Sequence, residues 1–121
     1  NPSIMIASKA LATKAILAAA LICPQLAAAD GFTGADLLKW PETQQNSFFQ
    51  SNVTMIGFVA VHTGKHEQLA HCIDGWYWKD GRADPEKNAA IRGAMERFPN
   101  YHPQMVILAV VEKACGKFKL S

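Results

Sequence analysis

The chain contains no long hydrophobic run. Its longest unbroken apolar stretch, Ala15–Cys23, falls well short of the roughly 20 residues a helix needs to cross a bilayer. It has no internal repeat, no low-complexity tract and no linker long enough to divide domains, so its 121 residues are read as a single domain behind whatever leader they carry. No Gly-x-Ser-x-Gly and no Gly-rich phosphate loop is present, which removes two common signatures of catalysis. The acids are scattered singly, with no pair at helical spacing beside an apolar run, so general acid–base chemistry has no obvious seat. Cysteine is scarce, with three in all. These absences point away from an enzyme.

What is present begins with an ordered N-terminal segment. Lys9 and Lys14 flank the start of the apolar run, Pro24 and Gln25 break it, and Ala27-Ala28-Ala29 sets small residues at the −3 and −1 positions before Asp30. Basic, apolar, then small-x-small is the pattern of a secretory signal peptide. Residues 1–29 are therefore expected to be a cleaved signal, or else a retained anchor, and residues 30–121 an exported, periplasmic domain. Ile22 is too large for the position before a lipidated cysteine, so Cys23 is read as part of the signal. All ten acidic residues lie from Asp30 onward, whereas two of the twelve basic ones, Lys9 and Lys14, precede it. The domain is thus charge-balanced, with nothing basic enough to suggest nucleic acid or an anionic membrane. Cys72 and Cys115 remain, an even number in an oxidising compartment, and are expected to form a disulfide; two separate buried thiols are the alternative.

The rest reads as helices. Thr33-Gly-Ala-Asp36 is an N-cap with an acid three residues on. Pro41 suits the first position of a second helix, in which Phe49, Val53, Ile56 and Ala60 recur at spacings of four, three and four and Gly64 is a terminator. Val53–Val61 is also rich in β-branched and aromatic residues, so a buried strand competes there. His66, Leu69, Ala70, Ile73, Trp76 and Tyr77 share the face of a third helix that Asp80-Gly81 ends. Asp84-Pro85 opens a fourth, with Ile91, Ala94, Met95 and Phe98 inward. His102-Pro103 opens the last, whose Met105–Val111 run is apolar on all sides and so suits a buried central helix or a central strand. The fold expected is all-α, a small disulfide-stapled bundle of four to five helices, with Cys72–Cys115 pinning the third helix to the last.

Candidate chemistry is sparse. His62, His66 and His71 resemble metal ligands, but Gly64 interrupts the first pair and Cys72 is spent on the disulfide. The histidines are read as solvent-facing or capping, with no metal, cofactor or catalytic residue expected. Trp76-Tyr77-Trp78 cannot all face inward on a helix, since neighbours are about 100° apart. That leaves Trp78 toward solvent or a partner, or folded over Lys79 or the turn as a lid.

Cys72-Ile-Asp-Gly75, an amphipathic helix, then Tyr101-His102-Pro103 and an apolar helix ending in Cys115 resemble the Tai/Rap-type immunity family that neutralises type VI secretion amidase effectors. The likeness runs from about Asn46 to Gly116, and the layout is also similar to the HdeA-type periplasmic chaperones. One departure is that members often carry another cysteine pair near the start of the long helix, where this chain has Asn46 and Ser47. The resemblance implies a non-enzymatic exported protein that binds a protein partner, with Trp78, Tyr101 and His102 as the residues to contact it. An accessory or chaperone-like subunit of an envelope complex is the alternative, N-terminally anchored if the signal stays.

Overall fold

The computed structural model describes residues 31–119, and its elements lie in a unit that contacts delimit at Phe32. The expected signal segment, residues 1–29, lies outside the described residues. Thr33 caps α1 (Gly34–Leu37): its hydroxyl accepts from the Asp36 amide while the Asp36 carboxylate accepts from the Thr33 amide at 3.0 Å, the reciprocal box its spacing predicts. These bonds from Thr33, with a smaller attraction from Lys39, hold the Asp36 carboxyl below its ordinary value. The start of α1 docks on the loop between the last two helices. There the Gly34 and Ala35 amides donate to the Tyr101 and Pro99 carbonyls at 2.8 and 3.0 Å. Glycine suits position 34 because a Cβ would stand 2.6 Å from Met95 Cγ, which is fully buried.

Helix α2 (Glu42–His62) starts one residue after its N-cap, Pro41, which the sequence suggested as the first helical residue. The buried Gln45 ties the α1–α2 turn together. Its amide nitrogen donates to the Leu38 and Trp40 carbonyls at 3.2 and 2.8 Å, and its oxygen accepts from Arg92 Nε at 2.8 Å. A buried amide with partners at both ends carries little desolvation cost. Phe49, Val53 and Ala60 are buried and Ile56 packs beside them, so the four-three-four row meets the core and Val53–Val61 is helix. Gly64, at φ 71°, then takes the chain out of the helix, a turn L side chains resist.

Helix α3 (Glu67–Tyr77) buries Leu69, Ile73 and Tyr77. The backbone then becomes extended at Trp78, and β1 (Trp78–Lys79) pairs antiparallel with β2 (Arg82–Ala83), Trp78 opposite Ala83. Asp80 and Gly81 between them both have positive φ, 53° and 78°, the geometry of a two-residue hairpin turn that matches strand twist. Trp78 is therefore not helical, as the sequence reading had it. It is half-buried, edge-on to Tyr77 at 5.2 Å and packed on the core.

Helix α4 (Pro85–Arg97) opens with Asp84 accepting from the Glu86 amide at 2.9 Å and with proline in its first turn. Helix α5 (Pro103–Cys115) opens with His102 Nδ1 accepting from the Gln104 amide at 3.1 Å and ends at Gly116. Two expectations are corrected here. Phe98 stands just past α4 and is 51% exposed, and α5 is not sheathed on all sides: Met105 is 60% exposed and Ala109 also faces water. Helix α5 packs on α1, α2, α3 and α4 with one side left open, because the chain offers no further helix to cover it among the described residues. The described residues form a bundle of five helices plus one short hairpin, with the core at Phe49, Val53, Ile73, Tyr77, Ile91, Met95, Ile107 and Val111. Cys72 and Cys115 form a disulfide, their Cα atoms 5.7 Å apart, and it joins α3 to α5.

Candidate functional site

The polar network inside the bundle is spent on structure. Tyr77 Oη donates to Asn88 Oδ1, so two buried polar groups on α3 and α4 satisfy each other. Burial pushes the Tyr77 hydroxyl up to about 12, against a smaller opposing pull from Asn88. Arg92 donates to Gln45 and Asn46, lies 5.4 Å from the Phe49 ring centre and comes 3.9 Å from the exposed Glu42 carboxylate. It fastens α4 to the first half of α2.

The histidines part company. His62 Nδ1 lies 3.0 Å from the Phe58 carbonyl, and His71 is exposed on α3. His66 occupies the N-cap position of α3 without a side-chain cap bond and is buried, contrary to the solvent-facing role read from sequence, although its place on the apolar face was the available signal. Its Nε2 accepts from the Lys119 amide at 2.8 Å, which leaves the proton on Nδ1 for Thr63 Oγ1 at 2.6 Å. The Thr63 hydroxyl in turn donates to the Ala60 carbonyl at 3.0 Å. With the Phe118 ring packed at 4.9 Å and tilted by 59°, His66 latches the segment after α5 against the α2–α3 turn. Among the described residues no three His, Cys, Asp or Glu side chains converge on a point that could hold a metal ion.

What the core does not absorb is apolar surface. Past Glu42, α2 carries no charged side chain before His62. Its second half turns Val53 and Ala60 inward and leaves Met55, Phe58, Val59 and Val61 outside, 45–58% exposed. Large apolar side chains clustered on two turns of one helix exceed the isolated exposures normal on a surface. Beside them runs a groove of about 540 Å³ between α2 and α3. Phe58, Gly57 and Val61 form one wall; Ala70, His71 and Asp74 form the other, with Glu67 and Trp78 at its margins. No side chain fills the space over Gly57.

A second apolar groove, of about 400 Å³, lies between the end of α4 and α5. Tyr101 lines it, whereas Trp78 lines the first. His102 lines neither. Its ring caps α5 and sits 6.1 Å from Phe32. The sequence residues singled out for a partner are thus spread over two faces and a cap. The most exposed apolar residues, Met55, Phe58, Val61, Phe98 and Met105, went unremarked as contacts. The signal was available: α2 is uncharged for longer than one buried row can use, and α5 is apolar all round. No family model, curated protein or solved structure matches the chain.

Proposed function

We propose that this is a non-enzymatic, exported periplasmic protein that acts by binding another protein, in the manner of the amidase immunity proteins it resembles. The observation that carries the reading is the outer face of α2. Met55, Phe58, Val59 and Val61 stand in water on a helix with no charge between Glu42 and His62. Charge depletion and large apolar side chains mark the core of an interface rather than its rim. The groove against α3 extends that face, and Trp78 at its margin adds aromatic area of the kind that dominates binding energy. The polar side chains of the interior, by contrast, are committed to bonds within the fold, which supports a binding rather than a catalytic role.

The test is co-production with the product of the reading frame encoded beside it. A stable complex that suppresses a cell-wall amidase activity of that product is the expected outcome. Replacing Phe58 by Asp should weaken the complex by about 30-fold or more, the loss that corresponds to the 2 kcal/mol or more carried by a hot-spot residue. Its circular dichroism and melting should stay near the parent's, since the side chain is already exposed. A parent chain that binds no such product, and instead co-purifies with subunits of an envelope complex, would replace the immunity reading with the accessory one. Equal binding by parent and Phe58→Asp would remove the α2 face from the proposal.

A further inference from the structure

The second groove differs from the first in the sign of its rim. Its floor is apolar, with Phe98, Tyr101, Met105 and Ala109 among its lining, and the charged side chains that line it are Arg97 and Lys113, both cationic. The α2–α3 groove is lined instead by Glu67 and Asp74, with His71 between them. Arg97 lies in the last turn of α4, beside the loop, and Lys113 in the last turn of α5. From Met105 to Lys113 the helix rises about 12 Å, so the lining runs a little over two helical turns, with the Arg97 guanidinium reaching back to 3.7 Å from where a Cβ on Gly93 would stand. Phe98, Tyr101 and Met105 are 51–60% exposed. A trough with walls this wet is too open to engulf a small molecule, which pockets bury almost entirely. It has the form of a cleft that accepts the apolar face of a helix, with anchors at i, i+3 or i+4, and i+7.

From this geometry we infer that the α4–α5 groove binds an amphipathic helical segment of a protein whose flanks carry Asp or Glu, paired with Arg97 and Lys113. Charge complementarity selects that occupant. A helix with basic flanks would face two like charges, and a second copy of this chain meeting groove to groove would bring four cations together. The opposite signs of the two grooves mean that one ligand helix cannot suit both. This site is therefore separate from the α2 face, and it stands whether or not the partner there is an amidase.

The experiment uses the purified oxidised chain and three synthetic helical peptides with the same leucine face. Their flanks are glutamate, glutamine or lysine, and binding is measured by calorimetry at low and physiological salt. The glutamate peptide should bind at least tenfold more tightly than the lysine peptide, and the gap should narrow as salt is added. The double variant Arg97→Glu, Lys113→Glu, whose changed side chains are both exposed, should reverse the order and favour the lysine peptide. Phe58→Asp should leave the preference intact, which separates this site from the α2 face. Equal binding of all three peptides, failure of all three, or an unreversed order in the double variant would each overturn the inference. So would a dimer of the parent chain in sedimentation that Met105→Glu disperses, because the groove would then be filled by a second copy.

Discussion

Among single residues, Tyr77 has the most measurable consequence. Its hydroxyl is buried against Asn88 and its ionisation is raised from 10.0 to about 12. A raised value means that the folded state holds the proton longer than the unfolded chain. The contribution is therefore complete below pH 10 and lost as pH rises through about 12. Tyr77→Phe should cost about 1–3 kcal/mol at neutral pH, because Asn88 is left buried without its donor. The stability difference between parent and variant, from urea unfolding at several pH values, should shrink steadily between pH 10 and 12. A constant difference would show the hydroxyl to be solvated. The Tyr77–Asn88 pair could not be read from sequence: eleven positions separate the two, across a hairpin whose strands hold two residues each. His66 was half legible. Its place on the apolar face was clear, but its partner, the Lys119 amide, lies 53 positions away.

Whole elements were more legible, because their ends are written in local chemistry. Thr33 with Asp36, Asp84 with Pro85 and His102 with Pro103 all cap where their spacing indicates. Caps act over one turn and need no tertiary information. The hairpin was missed because two-residue strands are too short to show alternation, and only the Asp80-Gly81 turn carries a signal. Gly81 at φ 78° predicts its own test. Gly81→Val should destabilise by about 1–2 kcal/mol, the cost of forcing a side chain into the left-handed region, although space around the position is open. Gly75→Ala, in the interior of α3 with equally open space, should stabilise by roughly 0.5–1 kcal/mol. If both substitutions moved the melting temperature the same way, backbone conformation would not be the deciding term. The exposed sides of α2 and α5 were only half legible, for a different reason. An apolar run announces burial but not whether the burying surface belongs to the same chain.

At the scale of the molecule, the Cys72–Cys115 bond was the most secure expectation and the one that fixes the arrangement. Its loop of 43 positions restricts the unfolded chain by about 4 kcal/mol at most, a large share of the 5–15 kcal/mol typical of a domain. Replacing both cysteines by Ala should lower the melting temperature by on the order of 15–30 °C, and reductant should then affect the parent but not the variant. An unchanged melting temperature would mean that the reduced chain is already held by its core. The covalent loop also sorts the helices. It encloses most of α3, the hairpin, α4 and α5, while α2 lies wholly before it. The longest helix among the described residues thus lies outside the ring and is held by side-chain contacts and by bonds to Leu38, Trp40, Arg92 and Gln104. Reversible partial opening should therefore detach α2 before it disturbs the ring, as separate cooperative units do in native-state exchange. Amide deuterium uptake in mild denaturant should label Val53–Val61 ahead of Ile107–Val111. A chain that lifts α2 this way can trade it with a second copy, so domain exchange is the first misassembly to look for at high concentration.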